Sequence, residues 1–208
     1  MTGRPGPDTL DALAALGTAT IGEASSNGVR ILHGRVRALA EPAPSVCGVA
    51  LTVRCRPGDN LAIHLALAGA RRDDILVVDY GGDTGTGPFG EIMAFAAQQA
   101  GVRGLVIDGA VRDRAAIVRM AFPVFCRGTA IPGTSKADRG EIGTACTIGG
   151  TKVASGDVVV CDGDAVVAFD PGAAEDILIA GRARLDAEAR VMERLRAGET
   201  TCEIFDLG

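Results

Sequence analysis

Three side chains, Glu91, Arg112 and Asp113, have the types and spacing to do chemistry. Gly90-Glu91 is followed by twenty residues and then by Arg112-Asp113, inside GEIMAFAAQQAGVRGLVIDGAVRDRAAI. A guanidinium is a fixed positive charge that can hold an anionic or keto substrate. A carboxylate beside it can hold a divalent metal. The pairing points to an enzyme acting on small oxoacids. Just upstream, Gly81, Gly82, Gly85 and Gly87 fall within seven residues. Such a loop lets backbone N–H groups come very near a ligand. The first-turn amides of a helix starting at Gly90 would face that loop.

These residues need a scaffold of strands and helices. Leu105–Ile107 is a short apolar run before Asp108-Gly109, and Ile75–Val78 is a second. Runs of this kind suit strands buried on both faces. Val49–Cys55 and Val124–Cys126 also read as strands. Helices are predicted over 8–16, 21–26, 60–68, 90–100 and 113–119, with Asp59 or Asn60 as the cap of the third. Strands alternating with helices favour parallel pairing with right-handed crossovers. After Gly128 the pattern changes. Segments 143–148, 151–153, 158–161 and 165–169 are short, with Gly-Gly, Ser-Gly-Asp and Asp-Gly-Asp turns between them. They predict an antiparallel section. Residues 173–197 form one long C-terminal helix with an apolar stripe from Ile177 to Leu195. Residues 1–7 read as a loose lead, and no linker divides the 208 residues, so a single domain is expected.

Composition narrows the function classes. The net charge of −5 argues against nucleic acid as a partner. No apolar run approaches the ~20 residues needed to span a membrane. The polar, Pro/Gly-rich start does not resemble a signal peptide. The six cysteines lack CxxC spacing and mostly lie in apolar runs, as expected of reduced, buried thiols in a cytoplasmic protein. Of 21 basic residues only Lys136 and Lys152 are lysines, which leaves little room for Schiff-base chemistry. Neither a P-loop nor a dinucleotide fingerprint is present. His64, within LAIHLALA, reads as a packed core histidine, and Lys136 as a solvated loop residue. Asp108 suits an Asp-Gly turn. Glu91 at a helix start also complements the helix dipole, and Asp83 is open to either reading.

The run from Gly90-Glu91 to Asp108-Gly-Ala-Val-Arg-Asp113 resembles the RraA-like family, which includes the 4-hydroxy-4-methyl-2-oxoglutarate / 4-carboxy-4-hydroxy-2-oxoadipate aldolases. Similarity extends through Thr18–Ile21, Gly48–Arg54, Asp74–Asp79, Pro123–Gly128 and Gly156–Asp164, covering roughly residues 15–200. The resemblance implies an α/β fold: a mixed-sheet α-β-β-α sandwich, similar to swivelling phosphohistidine domains, with a C-terminal helix. It implies a class II, metal-dependent pyruvate aldolase that also decarboxylates oxaloacetate. In that role Asp113 holds Mg²⁺ or Mn²⁺ and Arg112 bonds the keto oxygen. Backbone amides of Gly90, Glu91, Ile92 and Met93 cradle the substrate carboxylate. Family members are trimers or hexamers in which a neighbouring subunit closes the site; Glu23 and Glu188 match the acidic residues it contributes. The family often has Glu or Asp three residues after the metal-binding aspartate, where this chain has Ala116, and many relatives have Asp at the place of Glu23.

Together these readings predict a lyase that cleaves a C–C bond of a 4-hydroxy-2-oxo diacid through an enolate. Two alternatives stand beside it. Some RraA-like proteins are non-enzymatic and bind ribonuclease E, and an RraA-like cleft can also carry reassigned biosynthetic chemistry.

Overall fold

The computed structural model describes residues 3–24, 28–32 and 35–207. His33 and the expected end of the second helix, near Asn27, lie outside them. The chain opens with α1 (Pro7–Leu16) and α2 (Thr18–Ala24), then the short strands β1 (Arg30–Ile31) and β2 (Arg37–Ala38). Next come β3 (Val46–Arg54), α3 (Leu61–Ala68), β4 (Asp74–Asp79), α4 (Glu91–Gln99) and β5 (Gly104–Ile107). They are followed by β6 (Ala110–Val111), α5 (Arg114–Arg119), β7 (Val124–Cys126), β8 (Gly128–Thr129) and β9 (Glu141–Ile142). The remainder is β10 (Cys146–Ile148), β11 (Thr151–Val153), β12 (Val158–Cys161), β13 (Val166–Phe169), α6 (Ala174–Arg196) and α7 (Thr201–Phe205).

Nine strands form one mixed sheet in the order β1-β13-β12-β3-β4-β5-β7-β2, with β9 added at the end of β3. The β3-β4-β5-β7 block is parallel. β12 joins it antiparallel along β3 and carries β13 and β1 outward. The two halves of the chain thus share one sheet. Side chains alternate across it. On β3, Cys47, Val49 and Val53 face the helices, while Val46 and Ala50 face the other way. α3, α4 and α5 cover the parallel block, and α1, α2 and α6 cover β12 and β13 on the same face. The β10–β11 hairpin covers the opposite face through Cys146, Ile148 and Val153. Burial on both sides explains why β4, β5 and β12 are continuous apolar runs.

The C-terminal helix uses only part of its stripe. Ala174, Ile177, Leu178 and Gly181 are buried, whereas Leu185 and Met192 are exposed. A Cβ on Gly181 would sit 2.6 Å from Leu16 Cδ1, so a glycine lets α1 and α6 pack closely here. The lead expected to be loose is tied at Arg4, which bridges to Asp74 at 2.8 Å and donates to the Arg72 carbonyl. Among the described residues no helix is long and apolar enough to cross a membrane.

Candidate functional site

The site lies beyond the carboxyl ends of the parallel strands, where open α/β sheets place their ligands. After β5 the chain turns at Asp108-Gly109 into β6, which pairs in parallel with β8. This small second ladder sets Arg112 and Asp113 beside the segment 128–131. Ala130 donates to the Val111 carbonyl at 2.9 Å, and Arg112 donates through its own amide to the Phe89 carbonyl at 2.9 Å. Asp113 follows in the left-handed conformation, φ 57° and ψ 36°. A non-glycine residue held there marks local strain of the sort that collects at functional sites. Asp113 precedes α5, yet its side chain does not cap that helix. Its Oδ2 accepts instead from the Glu91 amide at 3.1 Å, with Arg112 Nε 3.6 Å from the same oxygen. Both side chains are a little under half exposed. They open on a cavity of about 580 Å³ lined by Arg112, Asp113, Arg114, Thr129, Ala130 and Ile131.

Two glycines make this approach possible. A Cβ on Gly90 would stand 2.4 Å from Asp113 Oδ2 and 2.9 Å from Arg112 Nε. A Cβ on Gly87 would stand 2.4 Å from the Ala130 carbonyl oxygen and 2.9 Å from Arg112 Cβ. The loop holding them is built from inside. Tyr80 Oη meets Thr86 Oγ1 at 2.9 Å, and Thr86 Oγ1 also donates to Asp83 at 3.1 Å. Asp83 is thus a loop brace, and its carboxylate also accepts from the Gly85 amide. Asn60 Nδ2 donates to the Pro88 carbonyl at 2.9 Å, which fixes the entry to α4.

The residues expected to cradle a carboxylate, Gly90 to Met93, form the start of α4, and their amides differ. The Glu91 amide is taken by Asp113, and the helix ladder begins with Ala94 donating to Gly90. The first-turn amides of Ile92 and Met93 are those that helix geometry leaves to an incoming anion. The Met93 side chain is buried beneath the site, while Ile92 is 80% exposed. Glu91 is exposed at the rim, and among the described residues its carboxylate has no partner.

Sequence reasoning missed the wall of the cavity made by Thr129–Ile131, and Arg114 as a lining residue. No local pattern marks 129–131; the β6–β8 pairing alone brings them to Arg112. It also missed what Asp59 does. Asp59 is 2% exposed and accepts from Ser135 Oγ, from the Ala137 amide at 2.7 Å and from the Leu61 amide at 2.9 Å. Burial acts to raise its pKa, but the hydrogen bonds from Ser135, Leu61 and Ala137 outweigh it and hold the carboxyl well below the usual range. Asp59 therefore pins the 133–137 loop to the start of α3. Asn60, the alternative cap, makes no capping bond with its side chain.

Other expectations are redrawn. Asp108 does more than shape a turn: it is buried and paired with Arg127. His64 is half-buried on α3 rather than packed in the core, because α3 turns that edge outward. Burial and then the charge of Lys136 lower its pKa. Glu23 and Glu188 meet each other through Arg184, which bridges both. They lie on α2 and α6, and within this one chain neither contacts Arg112 or Asp113. Ala116 is buried on the inner side of α5, its amide donating to the Asp113 carbonyl at 2.9 Å.

The donor set has a definite chemical character. Among the described residues no three His, Cys, Asp or Glu side chains converge. Oδ2 of Asp113 is engaged, and Oδ1 has no hydrogen-bond partner among the described residues. A single hard carboxylate oxygen beside an open cavity fits Mg²⁺ or Mn²⁺, which keep several waters and use one or two carboxylates plus substrate oxygens. It does not fit zinc, which takes three or four protein ligands.

Comparisons with known proteins bear on the family and the fold. The family model RraA-like, described as Aldolase/RraA, matches residues 15–168. A protein of Halalkalibacterium halodurans named "Putative 4-hydroxy-4-methyl-2-oxoglutarate aldolase" is 38% identical over 146 residues, 70% of each chain. The crystal structure of Streptomyces coelicolor RraAS2, described as an unusual member of the RNase ES inhibitor RraA protein family, matches with a TM-score of 0.79 at 25% identity. That match covers 91% of this chain and 98% of the other. An uncharacterized protein from Pseudomonas syringae matches with a TM-score of 0.81 at 25% identity, over 96% and 93% of the two chains. On the extent of the family match and the 38% identity to one relative, this chain belongs to the RraA-like family.

Proposed function

We propose that this protein is a divalent-metal-dependent pyruvate lyase. It would cleave the C3–C4 bond of a 4-hydroxy-2-oxo diacid and decarboxylate oxaloacetate. The observation that carries the reading is the strained Asp113 with Arg112 3.6 Å away, both opening on one cavity at the start of α4. The aldolase name borne by a 38% identical relative supports it.

The substrate carboxylate docks on the first-turn amides of α4, with Ile92 and Met93 as donors. Its 2-oxo oxygen lies toward the Arg112 guanidinium. Asp113 would hold Mg²⁺ or Mn²⁺, which when bound supplies Lewis acidity toward the 2-oxo group. A water held by the exposed Glu91 takes the C4 hydroxyl proton. The C3–C4 bond then breaks, its electron pair passing to C3 and the 2-oxo oxygen as the new carbonyl forms at C4. Arg112 stabilises the developing enolate charge. Protonation at C3 gives pyruvate. With oxaloacetate the same electron pair is released as CO₂ leaves, and no hydroxyl proton is needed.

Neither Glu23 nor Glu188 reaches this cavity within one chain, which is consistent with their acting from an adjacent subunit in a trimer or hexamer. The five buried, unpaired cysteines suit a reducing, cytoplasmic setting. The test is pyruvate release from oxaloacetate and from 4-hydroxy-4-methyl-2-oxoglutarate, with Mg²⁺ and with EDTA. Metal-stimulated release, lost in Arg112→Ala and Asp113→Ala, supports the proposal; unchanged rates in both variants would refute it. The likeness to RraAS2 favours a second reading, in which the chain binds a ribonuclease and has no turnover. Capture of ribonuclease E by a protein inert toward every 2-oxo acid would select that reading.

A further inference from the structure

A second cavity of about 370 Å³ adjoins the first, and Arg114 and Thr129 line both. Its other charged lining residues are Arg35, Arg37 and Arg127. With Arg112, five guanidiniums face the combined groove, and Asp113 is the single carboxylate in its lining. Asp108 lies behind, buried and committed to Arg127. Among the described residues Arg35 and Arg114 form no salt bridge. Arg114 is anchored by one donor: its Nε bonds the Leu39 carbonyl at 3.0 Å. That fixes the base of the guanidinium and leaves its terminal nitrogens for a ligand. Arg37 differs in that a terminal nitrogen, Nη1, donates to the Val36 carbonyl at 2.9 Å.

A protein with net charge −5 that gathers five arginines beside its candidate site concentrates positive potential where substrate enters. The arginine fork matches a carboxylate bidentately. Arg114 lines both cavities, so it marks the point where a ligand held at Arg112 would extend into the second.

We infer that Arg114, with Arg37 beyond it, is the specificity element of this enzyme, binding the distal carboxylate of the 2-oxo acid. The inference rests on the lyase reading. Under it, the end carrying the 2-oxo and C1 carboxylate groups lies at Arg112 and the α4 amides, and the far carboxylate lies across Arg114 toward Arg37. Substrates with a carboxylate beyond C4 then gain a charge-assisted contact that oxaloacetate does not make.

Two measurements on the full chain test it. The first is the ratio of kcat/KM for 4-hydroxy-4-methyl-2-oxoglutarate to that for oxaloacetate. Arg114→Gln and Arg37→Gln should each lower this ratio about 10–100-fold, chiefly through KM, the scale of one lost charge-assisted hydrogen bond. Arg114→Lys restores the charge without the fork and should recover only part. Arg119→Gln, on the last turn of α5, should leave the ratio unchanged. Because Arg114 adjoins Asp113, Arg37→Gln guards against a merely local disturbance. A ratio unaltered in both Gln variants would overturn the inference. The second measurement is calorimetric titration with propane-1,2,3-tricarboxylate in EDTA, which needs neither metal nor turnover. Binding by the native chain that is weakened in both variants supports the assignment. No binding, equal binding in the variants, or binding of inorganic phosphate or a short single-stranded RNA in place of the tricarboxylate overturns it. Were neither 2-oxo acid turned over, the lyase reading would fail while the titration still decided the groove.

Discussion

Gly90→Ala separates catalytic geometry from fold stability more cleanly than any other single change in this site. Gly90 is extended, φ −139° and ψ −166°, so alanine meets no backbone penalty there. The effect is therefore purely steric. The new methyl would lie 2.4 Å from Asp113 Oδ2, where ordinary contact begins at 3.4 Å, so the carboxylate must retreat by about 1 Å. That movement also breaks the bond from the Glu91 amide to Asp113 and pushes on Arg112. A displacement of about 1 Å in a positioned catalytic group costs about 10²-fold in rate. Both side chains are only about half buried and can swing outward. The stability loss should then sit at the low end for overpacking, about 1 kcal/mol, or about 2–4 °C in Tm for a chain of this size. Gly87→Ala provides the contrast. Its methyl would meet a backbone carbonyl, that of Ala130, at 2.4 Å, which cannot step aside cheaply. That variant should lose about 3 kcal/mol. The assays are pyruvate release, Mn²⁺ titration and thermal melting on the same preparations. A folded Gly90→Ala protein with kcat/KM within about threefold of the parent and unchanged Mn²⁺ affinity would refute the assignment of Asp113.

Three further outcomes are expected. Asp113→Asn should reduce pyruvate release about 10²–10³-fold and abolish Mn²⁺ binding. Its melting temperature should change little, since the Asp113 side chain does not cap α5 and asparagine tolerates the left-handed conformation. Asp59→Asn should destabilise the fold by about 1.5–3 kcal/mol at pH 7, the worth of hydrogen bonds to a buried charge. The folded carboxyl of Asp59 is held below its unfolded value, near 3.9. Its contribution is therefore complete above about pH 5 and is lost as the pH falls below about 4; thermal melts across that window should be flatter for the variant. With a thiol-reactive disulfide at pH 8, native protein should react rapidly at one cysteine, the exposed Cys202. Burial pushes the Cys55 and Cys146 thiols up to about 12, and the buried cysteines should react only after denaturation. Two or more fast thiols would show that the core opens on that timescale.

Local pattern decided a good part of this protein. The apolar runs 75–78 and 105–107 are strands because residues buried on both sides of a sheet must all be apolar, and the glycines of 81–90 announce a backbone pressed against something. Adjacent Arg112 and Asp113 lie near one another by covalent necessity. α7 was also legible in principle: Thr200 and Glu203 form a capping box that the sequence prints at the required spacing. Two-residue strands such as β6, β8 and β9 show no period of their own, and they exist because a partner strand lies alongside. The direction in which Asp113 points depends on its left-handed backbone and on a methyl-sized gap at Gly90, neither of which any spacing encodes. The groove uses Arg37 from the edge strand β2, Arg35 from the segment just before it, Arg114 from a helix start and Arg127 from just beyond β7, which are neighbours only after the sheet has formed. Sequence thus determined the longer helices and strands and which residues carry charge. Packing decided which of those charges face the same space, because that depends on contacts between segments far apart along the chain.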